Sequence, residues 1–256
     1  MRLLVPLFLF AFAGLLADGA VTETIEATHP VSAEASFSLD NINGSVSIDT
    51  WDRSEIRVIA VKKAKSQEDL DAIDVEIQAT DDHVGVKTKY NRKEGSFFGK
   101  WTTSGDVTYT VTLPMDASLR HVKTVNGSVK VAGVGGRVDV STVNGSIDTT
   151  GLRSDAKIET VNGSVKARFT SVSADQSIHI GSVNGRTEII LPENASCGIK
   201  ARTVNGGIRT DFALDVDKPK FGVGSRLNGQ LGEGDASVDI STVNGGIRVS
   251  KASGTM

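Results

Sequence analysis

The 256-residue chain has one cysteine, five prolines and few aromatic residues, 5% of the total. A single thiol, Cys197, excludes an internal disulfide framework, so an exported chain must take its stability from packing, with Cys197 as a small buried side chain. Scarce rings exclude a core built on large aromatic side chains. Val, Ile, Thr, Ser and Gly fill the sequence instead, the composition of an all-β chain. Neither sign of charge dominates. The net charge is −3 and the pI is near 5.8, so the basic stripe of a nucleic-acid binder is missing and nucleic acid is excluded as a partner.

Long apolar runs are also absent, except at the start. Met1-Arg2 is followed by LLVPLFLFAFAGLLA, Leu3 to Ala17, a charged segment and an apolar segment in the order of a secretory signal peptide spanning residues 1–20. Cleavage is expected near Ala17 or Ala20, with a retained N-terminal anchor as the alternative. After cleavage no transmembrane span remains, which places the chain in the periplasm, at the cell surface or outside the cell.

What the sequence does have is repetition. TVNGSV begins at Thr124, and close variants begin at Thr142, Thr160, Ser182, Thr203 and Thr242. The repeats align on Asn126, Asn144, Asn162, Asn184, Asn205 and Asn244, with a divergent unit, RLNGQL, at Asn228. Four residues before the Asn stand Val122, Val140, Ile158, Ile180, Ala201 and Ile240, and three after it Val129, Ile147, Val165, Thr187, Ile208 and Ile247. Spacings of 16 to 23 residues are those of a solenoid. Asn-Gly between apolar residues is also the signature of a hairpin turn. A hairpin would set Lys123 against Lys130 and Arg202 against Arg209, and only Glu159 with Lys166 would pair favourably. Stacking the repeats in parallel instead produces a column of Lys130, Asp148, Lys166, Glu188 and Arg209, alternating in sign at every step. The stacked arrangement accounts for the charges.

Each Val-Asn-Gly then reads as the corner of a rung. Val125, Val143, Val161, Val183, Val204 and Val243 are expected to point inward as an aliphatic column. Gly would supply a backbone conformation that side chains resist, with positive φ at Gly163, and Asn would tolerate the left-handed region while bonding to the Asn above and below. The Asn row is a structural ladder in this reading. The fold class is all-β: a single-stranded right-handed β-helix of about 20-residue rungs over residues 121–256, continuous with an irregular β-rich N-terminal cap over 21–120. SQEDLDAID, from Ser66, adds one short helix with Ser66 as its cap.

The unit NGSVSIDTWDRSEIRV from Asn43, the short acidic helix and the serial VNGSVK rungs together resemble the bacterial "putative adhesin" family of DUF4097 domains, over roughly Ala35 to Val249. The resemblance implies a β-solenoid on the exported side of a bacterial envelope. It carries no catalytic residues with it.

β-Helices also host polysaccharide lyases and hydrolases, whose sites need carboxylates converging on one groove. Asp40, Asp49, Asp139, Asp148, Asp155 and Asp239 are instead spread along the chain, and His121 and His179 share an outward position three rungs apart. Asp81-Asp82-His83 reads as a turn, and GEGD at Gly232 lacks a calcium-binding period. No catalytic, cofactor or metal site is expected. Phe97, Phe98 and Trp101 form a ring cluster in a loop that could stack on a sugar or a partner, or plug the open end of the core. The function expected is that of an exported, non-catalytic adhesin-like or envelope-associated scaffold protein, with envelope polysaccharide or an envelope protein as partner. A glycan-processing β-helix enzyme and an envelope-stress sensor module are the alternatives.

Overall fold

Alternating runs such as VDVSTVN and IDTTGL bury every second side chain, and they form strands throughout the chain. The structure, a computed structural model, describes residues 10–15, 20–91, 104–217 and 224–252. The repeats form the rungs of a β-solenoid, each giving one strand to each of two eleven-stranded sheets with a shared aliphatic core between them.

Seven rungs carry the Asn-Gly corner. In spatial order they are Ser36–Asp40 with Val46–Trp51, Ser118–Asn126 with Val129–Ala132, Val138–Asn144 with Ile147–Leu152, Ala156–Asn162 with Val165–Phe169, Ser177–Asn184 with Thr187–Leu191, Ala236–Asn244 with Ile247–Lys251, and Cys197–Asn205 with Ile208–Thr210. The strands are parallel and in register, so that Val140, Ile158 and Ile180 follow one another in one sheet and Ile147, Val165 and Thr187 in the other. Lys123 lies beside Ser141 and Lys130 beside Asp148, and neither faces the other across a hairpin.

Two features differ from the sequence-based expectation. The C-terminal rung inserts between the Asn184 and Asn205 rungs instead of following them. The charge column therefore runs Lys130, Asp148, Lys166, Glu188, Arg248, Arg209: Arg248 takes the place beside Glu188, and Arg209 falls next to a like charge. Asp211, 3.4 Å from the Arg248 guanidinium, offsets that contact. The physical reason lies in the connection. After the Asn205 rung, Ser225–Leu231 turns back antiparallel along its outer edge, and a turn at Gly232 (φ 60°) sends the chain to the inner edge. The divergent Asn228 belongs to this covering strand.

At the other end, His83–Tyr90 and Gly105–Pro114 form an outer rung parallel to Ser36–Asp40 and Val46–Trp51. Antiparallel strands continue each sheet beyond it: Ile73–Thr80 in one, and Glu55–Ala64, Val21–Pro30 and Phe10–Leu15 in the other. The helix Gln67–Asp71 begins where Ser66 Oγ accepts the Asp69 amide at 3.2 Å. Inside this end lie the largest buried rings, Phe37 and Tyr109. The Tyr109 hydroxyl bonds Thr88 Oγ1 at 2.7 Å, and burial raises its pKa. Phe97, Phe98 and Trp101 lie outside the described residues.

Candidate functional site

The corner of each rung sets what the molecule shows to its surroundings. Counting from the buried residue four before the Asn, the period of two puts the next residue out, Thr or Ser in, and Val out. Thr124, Thr142, Thr160, Ser182, Thr203 and Thr242 are buried, and Ile42, Val161, Val183, Val204 and Val243 are exposed, with Val125 and Val143 half-buried. The expected inward aliphatic column is thus reversed. The hydroxyls turn inward because each has an acceptor there: Thr142 Oγ1 donates to the Gly127 carbonyl at 3.0 Å, Thr160 to Gly145 at 2.9 Å and Ser182 to Gly163 at 3.1 Å.

The glycines serve close approach, and only at the first corner, Gly44 (φ 118°), does the backbone also take a positive φ. Gly163 has no positive φ, and Asp175 is the only non-glycine residue that does among the described residues, so the Asn residues are not left-handed either. A Cβ on Gly163 would stand 2.0 Å from the Gly145 carbonyl oxygen of the neighbouring rung, and Gly127, Gly145, Gly185, Gly206 and Gly245 are in the same position. That approach lets a side-chain ladder form. Asn126 Nδ2 donates to Asn43 Oδ1 at 2.8 Å, and the chain of bonds continues through Asn144, Asn162, Asn184, Asn244 and Asn205 at 2.8 to 2.9 Å. Asn43 begins this ladder.

Outward from the corner, one sheet presents three parallel rows. The first is the aliphatic row Ile42, Val125, Val143, Val161, Val183, Val243, Val204. The second is Asp40, Lys123, Ser141, Glu159, Gly181, Ser241, Arg202. The third is Ser38, His121, Asp139, Lys157, His179, Asp239, Lys200, with a bulge in the second rung that also turns Arg120 outward beside His121. Where the middle row is small, at Ser141, Gly181 and Ser241, the face sinks into a groove of about 580 Å³ with the valines along one side and Glu159 and His179 along the other. Glu159 takes Lys157 at 3.2 Å and His179 at 3.4 Å, and Asp40 takes His121 at 3.4 Å. The groove has no Phe, Tyr or Trp among its lining residues. The sequence held the signal for it, since the period of two runs unbroken up to the Val.

The acids do not meet in one place. Asp40, Asp139 and Asp239 belong to the grooved face, Asp148 to the other sheet, and Asp155 accepts the Ser177 amide at 2.9 Å. His83 sits just past the Asp81-Asp82 turn, with its ring between Ser36 Oγ at 2.9 Å and Ser38 Oγ at 3.1 Å. Among the described residues no three His, Cys, Asp or Glu are grouped so as to hold a metal ion. Cys197 is fully buried, and burial pushes its thiol pKa up. Also among the described residues, no helix is long and apolar enough to cross a membrane.

Fold and surface define a capped, two-sheeted β-solenoid whose open feature is a shallow face bordered by an aliphatic stripe. The chain belongs to the Toastrack DUF4097 family, whose model matches residues 44–250. A structure described as a "putative cell adhesion protein" from Clostridium sporogenes shares the fold: TM-score 0.50 at 13% identity, over 89% of this chain and 99% of that one. A "putative adhesin" from Bacteroides fragilis aligns over 88% of this chain and 96% of its own, at 12% identity and a TM-score of 0.42. No curated protein matches the chain.

Proposed function

We propose that this chain is an exported, non-catalytic, adhesin-like interaction protein of the bacterial envelope, and that it binds another protein through the grooved face. The observation that carries the reading is the aliphatic stripe. Val161, Val183, Val243 and Val204 are 38 to 41% exposed on four successive rungs, and the half-buried Val143 and Val125 continue the aliphatic row to Ile42, 42% exposed. Water-exposed apolar side chains in a contiguous patch mark association surfaces, whereas singly scattered ones do not. A protein surface fits this face better than envelope polysaccharide does, because sugar rings are held by stacking on Trp, Tyr or Phe side chains and none of these lines the groove. Export rests on the Met1-Arg2 and Leu3 to Ala17 leader pattern.

A photo-crosslinking residue at Val161, compared with one at Lys130 on the opposite sheet, tests the reading in intact cells after fractionation. Protein adducts from the Val161 position in the envelope fraction are expected, with far fewer from Lys130. Equal adduct formation from both positions refutes the grooved face as the binding surface. Turnover on a panel of envelope polysaccharides, lost on changing one or two acids to amides, refutes the non-catalytic assignment.

A further inference from the structure

The grooved face is charged in a pattern that matches itself. We propose that its partner is a second copy of this chain, packed face to face with the two solenoid axes antiparallel and the two-fold axis running along the central rung at Val161. This rests on the reading of the face as a protein-binding surface and names the protein.

Number the seven corner rungs in space from that of Asn43 to that of Asn205. A two-fold axis along the fourth sets the first against the seventh, the second against the sixth and the third against the fifth, and keeps each row over its own row. Asp40 then faces Arg202, His121 faces Asp239, and Asp139 faces His179. Each of these pairs occurs twice. The remaining pairs in the two polar rows are neutral: Lys123 with Ser241, Ser141 with Gly181, and Ser38 with Lys200. On the axis itself Glu159 faces its own copy and Lys157 faces its own copy, and the Lys157–Glu159 pair within each chain, 3.2 Å apart, offsets these two like-charge contacts. Beyond the last rungs Lys87 and Arg226 come opposite each other, which bounds the favourable footprint.

Other registers lose this match. Moving the axis half a rung toward the C-terminal end sets Lys123 over Arg202, Asp139 over Asp239 and Lys157 over His179. Parallel solenoids sharing an axis would set Asp40, Lys123, Glu159 and Arg202 each against itself. A half-rung shift the other way keeps only Asp139 over Lys157, whereas the register that sets Asp40 over Arg202 and each outward His over an Asp is also the one that overlaps all seven residues of the aliphatic stripe. Seven rungs at about 4.8 Å, with side-chain margins, and a width of about 18 Å give about 600 Å² per copy, or about 1,200 Å² in total, the lower edge of stable interfaces. A micromolar dimer is therefore expected.

The test is sedimentation equilibrium on the purified chain up to about 100 μM, a range suited to micromolar association. Dimer formation is expected for the wild type and its loss for Val161→Asp, which puts two carboxylates together on the axis. Asp40→Arg alone and Arg202→Asp alone should each weaken the dimer about fivefold or more, because each replaces two attractive pairs with two repulsive ones. An equimolar mixture of those two single variants restores both pairs and should dimerise as the wild type does. A monomeric wild type, or a dimer indifferent to these changes, overturns the second-copy assignment. Crosslinking at Val161 to a different protein would likewise overturn it while leaving the interaction reading intact. Loss of all Val161-dependent crosslinks would remove the reading itself.

Discussion

Adding one methyl group at Gly163 tests the corner directly. The Cβ of Gly163→Ala would meet the Gly145 oxygen at 2.0 Å and its carbon at 2.5 Å, both backbone atoms of a rung that cannot swing aside. Relief to an ordinary contact of about 3.4 Å would open the rung spacing locally by more than an ångström. Several bonds span that gap. The Gly145 amide donates to the Asn162 carbonyl at 3.0 Å, Thr160 Oγ1 to the Gly145 carbonyl at 2.9 Å, and Asn162 Nδ2 to Asn144 Oδ1 at 2.9 Å. Losing two or three of these at about 1 kcal/mol each, with strain on top, gives a loss of about 3 kcal/mol. Gly163 lacks a positive φ, so none of this cost comes from backbone strain. Urea unfolding followed by circular dichroism measures it, with Gly207→Ala as the control, since a Cβ there meets nothing within 4 Å. Equal effects at the two positions, or no effect at Gly163, would refute the close-approach account.

Asn162→Ala removes two ladder bonds and Asn205→Ala, at the end of the row, removes one. In the same unfolding assay the first should cost about 1 kcal/mol and the second about half that, because these amides are exposed. Thr187 Oγ1 is buried without a partner among the described residues, in a column otherwise made of Val and Ile, so Thr187→Val should stabilise by about 1 kcal/mol or more. Deleting residues 236–252 should abolish cooperative unfolding at the C-terminal end, measured by hydrogen exchange, because that rung is internal to the stack. Burial lowers the His29 pKa below the ordinary histidine value of about 6.5, and its Nε2 has no partner among the described residues. The unfolded chain therefore binds the proton first as pH falls. Stability should decline below about pH 6.5, and His29→Gln should reduce that decline in melting-temperature profiles.

The stack was legible in the sequence because its charges and buried positions recur at fixed offsets from the Asn. The direction of the valines was legible too, from the period of two running through Ile158, Thr160 and the residues between them, but apolarity argued for the opposite side. What decides the matter is the glycine carbonyl of the neighbouring rung, a buried acceptor that only a hydroxyl can satisfy and that no single repeat reveals. Rung order was not legible. Thr203 to Arg209 and Thr242 to Arg248 spell the same seven residues, TVNGGIR, so either rung could stand beside Glu188 with an arginine in the same place. The antiparallel return of Ser225–Leu231 along the Asn205 rung and the turn at Gly232 settle it. The groove escaped notice for a related reason: its depth comes from Ser141, Gly181 and Ser241 sharing a row, and the last two become adjacent only once the C-terminal rung has been inserted.

Interleaving at both ends bears on how such a chain can associate. At one end the outer rung is supplied by His83–Tyr90 and Gly105–Pro114 and the earlier segment 36–51 lies inside it; at the other the outer rung is 197–210 and the later segment 236–251 lies inside it. Each inner segment is paired along both edges, so it cannot fray without breaking two ladders. Antiparallel strands then cover one sheet at both ends, Ile73–Thr80 at one and Ser225–Leu231 with Val216–Asp217 at the other, so a further TVNGGIR rung could not register in both sheets, although the second sheet ends on the short strand Ile208–Thr210. Exposed edges of a solenoid otherwise template end-to-end growth. With one sheet covered at both ends and only a three-residue edge left in the other, the extended surface left for association is lateral, and the lateral face with an aliphatic row is the one on which Val161, Val183, Val243 and Val204 are exposed on successive rungs. Covering the ends and exposing that file are therefore complementary features, since the first removes open-ended assembly and the second permits a closed one.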